Sequence, residues 1–420
     1  MRRFILTAAA LCAFLCAFAQ DQPPRTGWSF ISLPNLSYNS DLGLSLGAWG
    51  DLFYYGDGSQ GPNFLHHLGF SGAYMTKGSW FLHAFFDSDS LIPGISLRSS
   101  ATYRDVPADS FYGFNGIASP FDQTRELNAA TRTAYYTYRH RYARASLLAS
   151  GPLSGRWCWL GGALFRWVQT SDFSLSRYDS GRSLYLDYVE RGLIRADEQG
   201  GGTSLEFKAG VRYDSRDLPL TPGQGLFAQL YLLGNVCLQG GPYHYGQLVA
   251  DFRQYLPLLP QRLLFAWHLG LQHTLWGEVP FYLANELATP EYRYEDFTGL
   301  GSRHSIRGYR LNRITAAGYA WGNFELRFRA FDFSLFKQRF ELVLNPFFDL
   351  AAITRTYRLE EQQAQGEGFY QDLSLPVMPS AGAGFKVLMN HNMIISVDVA
   401  RAFHPQLSDW MIGMASSYIF

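Results

Sequence analysis

Along most of the chain apolar and polar residues alternate one by one. From Gly43 to Tyr55, Leu44, Leu46, Ala48 and Gly50 take one side, and Ser45, Gly47, Trp49 and Asp51 take the other. A period of two is what a strand with one lipid face and one watery face requires. The same pattern predicts strands at 41–56, 64–76, 79–88, 94–105, 128–140, 143–151, 156–169 and 202–214. It continues at 225–236, 244–256, 261–274, 319–331, 339–353, 380–390, 392–402 and 409–420. Sixteen strands, an even number, place both ends of a barrel on the periplasmic side. Most are close to the length a tilted strand needs to cross a bilayer. Connections alternate in length: Lys77-Gly78 is a tight turn, whereas 170–201, 275–318 and 354–379 are long. No repeat of fixed period appears, which speaks against propellers and solenoids. The expected fold is all-β: one 16-stranded antiparallel transmembrane β-barrel over residues 41–420.

Composition fits that class. The chain has 420 residues, 35 basic and 35 acidic, and only 17% are charged, against about 25% in soluble proteins. A net charge of zero leaves no excess of Lys and Arg for nucleic acid. Aromatics and glycine are abundant, with 33 Phe, 26 Tyr, 10 Trp and 41 Gly. Arg2 and Arg3 precede an apolar stretch from Phe4 to Phe18, and Ala17-Phe18-Ala19 supplies small residues before Gln20. Residues 1–19 therefore read as a secretory signal peptide, followed by a short lead over 20–40. Beyond it no apolar run approaches the length of a membrane helix. Cys12 and Cys16 fall inside the signal, and Cys158 and Cys237 leave room for one disulfide at most. No zinc-binding spacing occurs.

The last strand is the clearest. Met414, Ser416, Tyr418 and Phe420 alternate with Gly413, Ala415, Ser417 and Ile419, and the sequence stops on an aromatic residue. In an exported barrel, Met414, Tyr418 and Phe420 look like a C-terminal recognition strand, the signal by which outer-membrane proteins reach their assembly machine.

Several stretches resemble the BamA/TamA superfamily of outer-membrane assembly and translocation barrels, also called bacterial surface antigen proteins. Leu33-Pro34-Asn35-Leu36-Ser37-Tyr38-Asn39-Ser40-Asp41-Leu42-Gly43 looks like the lead into that family's first strand. Phe111-Tyr112-Gly113-Phe114-Asn115-Gly116 is similar to its FYGxGN element, with the last two residues exchanged. Tyr213-Asp214-Ser215-Arg216-Asp217 with Pro222-Gly223-Gln224-Gly225 resembles the turn between its eighth and ninth strands. Most specific is Gly299-Leu300-Gly301-Ser302-Arg303-His304-Ser305-Ile306-Arg307-Gly308-Tyr309, which matches the tip of its sixth loop, with core VRGF or VRGY. It falls between the eleventh and twelfth predicted strands, where the family places it. The matches run in the family's order over nearly the whole exported chain.

The resemblance implies a lock. In the family the arginine at the loop tip folds back into the barrel and pairs with acidic residues on the facing wall. Arg307, within Ile306-Arg307-Gly308-Tyr309, takes that role here. Phe347-Phe348-Asp349-Leu350-Ala351 resembles the FxDxG element of the thirteenth strand, so Asp349 is the first expected partner, with Phe347 beside it. Glu325 on the twelfth strand is the second. A guanidinium offers a planar fork of donors that suits carboxylates. Gly308 would let the backbone turn sharply or approach the wall. The family's glycine is Ala351 here.

Other constellations carry less. Gly43-Leu44-Ser45-Leu46-Gly47 has the spacing of a nucleophile elbow, but it lies within an alternating strand and not at a strand-to-helix turn. His66 and His67 are adjacent and face opposite sides of a strand, which does not make a metal pair. Asp214 and Asp217 are explained by turn chemistry. Arg139, His140, Arg141 and Arg144 form a basic cluster near the turn after the fifth predicted strand, where they would meet lipopolysaccharide phosphates if that turn is extracellular. Glu360 and Glu361 sit in a loop. No enzyme, metal or cofactor is expected.

Family relatives carry periplasmic POTRA domains ahead of the barrel; the stretch before the first predicted strand here is too short for one. Three readings follow. The first is an assembly or translocation barrel working through a weak seam between the first and last strands. Its partners would be outer-membrane lipid, a polypeptide client and a periplasmic partner subunit. The second is a passive pore or a specific solute or lipid transporter, and the third a barrel-embedded lipid hydrolase.

Overall fold

A computed structural model describes residues 26–39, 43–59, 64–76, 78–128, 131–173, 182–289, 299–301, 305–335, 338–372, 377–390, 393–404, 407, 410–415 and 417–420. The expected signal peptide over 1–19 lies outside these residues. The strands are β1 (Trp28–Asn39), β2 (Gly43–Tyr54), β3 (His66–Met75), β4 (Trp80–Ile92), β5 (Ile95–Ser110), β6 (Thr137–Ser154), β7 (Trp157–Ser171) and β8 (Gly201–Asp214). They continue as β9 (Gly225–Gln239), β10 (Tyr245–Leu259), β11 (Leu263–Gly277), β12 (Gly318–Leu335), β13 (Gln338–Arg355), β14 (Val377–Met389), β15 (Met393–Ala402) and β16 (Met411–Ala415). Each pairs antiparallel with the next, giving one 16-stranded sheet in simple sequence order. Among the described residues no ladder joins β1 to β16.

Alternation determines the two faces. Along β9, Phe227, Gln229, Tyr231, Leu233, Asn235 and Cys237 are buried, while Leu230, Leu232, Val236 and Leu238 are exposed. Polar groups thus sit on the covered face and large apolar ones on the bare face, the inverse of a soluble sheet and the arrangement a bilayer demands. Short turns close one end. The described parts of the long connections 111–136, 172–200, 278–317 and 356–376 gather at the other, where Phe111, Phe114, Tyr188, Phe281, Tyr357 and Phe369 share one buried aromatic cluster.

Three expectations need correction. The stretch read as a lead contains β1, which pairs with β2 from Trp28↔Tyr54 to Asn39↔Gly43. Pro34 lies within this strand, and proline is tolerated on an edge strand. The predicted strands 128–140 and 143–151 are one continuous β6, preceded by a connection. Its buried positions Tyr138, His140, Tyr142 and Arg144 keep their period through Arg141, and no turn-forming residue interrupts them. These two errors offset one another in the count. The third concerns the end of the chain. β16 stops at Ala415, and Tyr418 and Phe420 leave the line of Met414.

Candidate functional site

The connection between β11 and β12 brings its tip against β12–β15. Ile306 and Tyr309 are buried with Leu300 and Ile314 against Ala351 of β13, Met378 of β14 and Ala402 of β15. Tyr309 Oη donates to the Pro379 carbonyl at 3.1 Å. At Gly308 φ is +88°, and a Cβ there would stand 2.9 Å from the Arg401 carbonyl carbon and 3.0 Å from Ala402 N. Both the left-handed backbone and the close approach to β15 therefore require glycine. Ala351, in the position of the family's glycine, uses its methyl group to fill the same apolar cluster.

Arg307 is 2% exposed, and each nitrogen of its guanidinium donates to a carboxylate. Its backbone N–H and Nε both donate to Asp349 Oδ2, at 3.0 and 2.8 Å, and Nη2 donates to Asp349 Oδ1 at 2.8 Å. Nη1 donates to Glu325 Oε1 at 2.6 Å. The guanidinium carbon lies 3.4 Å from the centroid of the Phe347 ring. Register explains why these groups converge: Asp349 stands opposite Asn323 and Phe347 opposite Glu325, so all four share one patch of the covered face. Asn323 secures the tip further by donating to the Ser305 carbonyl at 2.7 Å. Burial works against the charge on Arg307, but Asp349 and Glu325 more than offset it and raise its pKa above the usual arginine value. The guanidinium is permanently cationic there.

Glu325 has a second arginine. Its Oε2 accepts from Arg327 Nε at 2.8 Å. Arg327 in turn lies 3.8 Å from the Tyr418 ring centroid, and its Nη2 donates to the Phe420 carbonyl oxygen at 3.3 Å. Phe420 is 8% exposed and packs on Tyr255 of β10 and Ala266 of β11. Tyr418 packs beside Val343, Leu388 and Ile394. One carboxylate thus stands between the loop tip and the segment beyond β16. Met414, by contrast, is 58% exposed on the bare face. The three residues of the expected recognition strand are therefore split. Aromatic burial and contact with Arg327 hold Tyr418 and Phe420 on the covered face, which the two-residue period alone did not foretell.

A family model for the Omp85 superfamily domain matches residues 66–403. The chain belongs to the Omp85 superfamily. Among solved structures it is similar to BamA from Haemophilus ducreyi lacking POTRA domains 1–3, with a TM-score of 0.57 and 17% identity over 94% of this chain and 70% of that one. It is also similar to CdiB from Escherichia coli, with a TM-score of 0.57 and 11% identity over 94% of this chain and 63% of that one. For CdiB from Acinetobacter baumannii the TM-score is 0.50 and the identity 12%, over 94% of this chain and 60% of that one. These likenesses are of fold, and the chain spans less than two thirds of either CdiB. No curated protein sequence matches. As an Omp85 barrel the protein resides in the outer membrane.

Other sequence motifs find their places in this Omp85 barrel. Asn115, with φ of +61°, donates to the Tyr357 carbonyl and to Gln362 Oε1, both at 2.8 Å, and its N–H donates to the Thr315 carbonyl at 2.6 Å. The stretch Phe111 to Gly116 therefore ties three long connections together. Asp217 Oδ1 accepts from the N–H groups of Leu218 and Gly223 at 2.8 and 2.9 Å, and Asp214 pairs with Arg216. His67 contacts Asp51 and His66 contacts Ser88, on opposite faces of β3. Cys158 and Cys237 are free thiols. The basic cluster at Arg139, His140, Arg141 and Arg144 is not at a turn but along β6. Its members alternate between faces: Arg144 pairs with Glu286 and His140 with Asp109 on the covered side.

Sequence reading missed a second anchor and the struts of the cap. Glu286, from the same connection as Arg307, lies 3.0 Å from Arg144 and 3.3 Å from Arg166. Burial alone would raise its pKa, but those two arginines hold the carboxyl below its ordinary range. Arg310 pairs with Glu126, and Arg358 with Glu198 and Glu278. Each joins connections far apart in sequence, so no local spacing announced them.

Proposed function

We propose that this barrel inserts or translocates a polypeptide client at the seam between β1 and β16. The observation that carries the reading is the inequality of the two edges. β1 is held by a full-length ladder to β2, whereas β16 is a five-residue strand. An unpaired edge accepts an incoming strand by main-chain hydrogen bonds. A client strand would pair with the long edge of β1, while the weakly held β16 gives way. The Arg307 lock would keep the wall beside the seam in register during that exchange. A periplasmic partner subunit that delivers the client belongs to the same proposal, and no chemical catalysis enters it.

The test uses the purified chain in liposomes and a urea-denatured outer-membrane client. Folding of the client is expected to accelerate in the presence of the barrel, and the acceleration to be lost with Arg307→Ala and with a disulfide engineered across the seam. Unchanged client folding, accompanied by leakage of small solutes, would favour a pore instead.

A further inference from the structure

The bare face of β4–β7 carries a charge arrangement at the level where a bilayer changes character. Register aligns Trp80, Asp105, Arg141 and Gln169 across four strands. The next row inward is Leu82, Tyr103, Ala143 and Trp167, and the row beyond that is Ala84, Ala101, Ala145 and Phe165. Trp80 and Tyr103 pack with tilted rings, their centroids 5.0 Å apart. An apolar wall thus passes through an aromatic row to a charged row, as at the rim of an outer-membrane barrel. β5 and β6 meet their long connection at this end, and long connections mark the extracellular side. The charged row accordingly faces the headgroups of the outer leaflet.

The charges there do not balance. Asp105 is engaged at both oxygens by Arg139: Nε donates to Oδ1 at 3.2 Å and Nη2 to Oδ2 at 2.6 Å. Arg141 stands directly opposite Asp105 in register, yet no carboxylate pairs with it among the described residues. Its Nε is buried without a hydrogen-bond partner. A guanidinium on a lipid-facing wall is costly unless an anion meets it, and its planar fork fits the oxygens of a phosphate ester.

We propose that Arg141, with Arg139 and Asp105 beside it, forms a site for the phosphate of an outer-leaflet glycolipid. Arg141 makes the contact, Asp105 withholds Arg139 from it, and the Trp80–Tyr103 pair flanks the sugar and upper acyl region. Arg144, which sequence alone grouped with these residues, faces the other way and takes no part.

Lipid retention by the purified chain separates this site from a structural charge pair. The barrel in detergent is loaded with lipid A, with dephosphorylated lipid A, or with inorganic phosphate, and retention after washing is read by native mass spectrometry. Wild type is expected to keep lipid A and release the dephosphorylated form. Arg141→Gln should lower retention about tenfold, the loss of one charge-assisted contact, and Arg141→Lys should lower it less. Asp105→Asn should raise retention, because it frees Arg139, and Asp105→Asn with Arg141→Gln should return it to near wild type. Equal retention by wild type and Arg141→Gln would overturn the proposal. So would a fall with Asp105→Asn, the result of a purely structural role. Full displacement of lipid A by millimolar phosphate would overturn the assignment to a lipid. Heat-modifiable mobility on gels confirms that each variant is folded, and Asp105→Asn decides the question even where Arg141→Gln fails to fold.

Discussion

The two edges of the sheet are built differently. β1 has 12 residues, all in register with β2, while β16 has 5, paired with β15 from Ser396↔Ala415 to Ala400↔Met411. With roughly 1 kcal/mol of net stabilisation per backbone hydrogen bond, the first ladder contributes about twice as much as the second. The residues that would have lengthened β16 do not hang free. Tyr418 and Phe420 lie on the covered face beside Arg327. What the last strand lacks in ladder it recovers in side-chain contacts, and those contacts pass through Glu325 to the Arg307 lock. The firm edge therefore has a full-length ladder with local side-chain contacts along it, such as Trp28 with Tyr54, and the weak edge a chain of charges that a loop can influence.

The most severe way to break that contrast is Glu325→Ala. It leaves Arg307 and Arg327 buried with one fewer anion between them, at a cost of about 3–5 kcal/mol. Limited proteolysis of the connection at 305–317 and the mobility of a spin label near 417–420 should both increase, while hydrogen exchange in β1 stays as in wild type. Movement of the loop without movement of the end segment would show that Glu325 does not couple them.

Gly308→Ala comes next. The left-handed backbone alone costs about 1–3 kcal/mol for a residue with a Cβ, and the new methyl would meet the backbone of Arg401 and Ala402 on β15. The loop tip should become protease-sensitive, and exchange in β15 and β16 should rise more than in β1 and β2. Equal effects at both edges would mean that the lock braces the barrel generally and not the weak side in particular.

Phe420→Ala is milder. Burying a phenylalanine contributes roughly 1.5–3 kcal/mol, part of which is offset by the freedom the end segment regains. Met411 to Ala415 should exchange faster, and Arg307 should remain protected. If loop protection fell as far as in Glu325→Ala, the end segment would be a support of the lock and not its dependant.

These contrasts bear on what was legible beforehand. Strands such as β9 announced themselves because lipid and lumen impose opposite chemistry on alternate residues. The Arg307 partners were legible through the family's motif and the strict order of the matches. β1 was missed because its residues were read as the lead into the first strand, and β6 was cut in two by a basic run taken for a turn. The role of Arg327 was not visible, since nothing local tells a lumen arginine which distant aromatic will cover it. Glu286, Arg310 and Arg358 escaped for the same reason. The partners of Arg310 and Arg358 lie on other connections, and those of Glu286 on β6 and β7, all distant in sequence.

The smallest effect concerns the second anchor, away from both edges. The Glu286 carboxyl is held below its ordinary value of 4.5 by Arg144 and Arg166, against the effect of burial. A carboxyl depressed in the folded state contributes its stabilisation in full above the unfolded value and loses it as pH falls through the folded one. Hydrogen exchange at 281–287, taken relative to the intrinsic rate at each pH, should therefore be flat from pH 7 down to about 5 and rise only in stronger acid. Glu286→Gln should show faster exchange there already at pH 7, with the acid-dependent rise attributable to this carboxyl gone. In that variant at pH 7 the end segment 417–420 should be as protected as in wild type, because its link to the loop runs through Glu325 and not through β6 and β7. A loosened end segment in Glu286→Gln would instead make the whole connection one rigid transmitter, and the weak edge would then answer to any part of it.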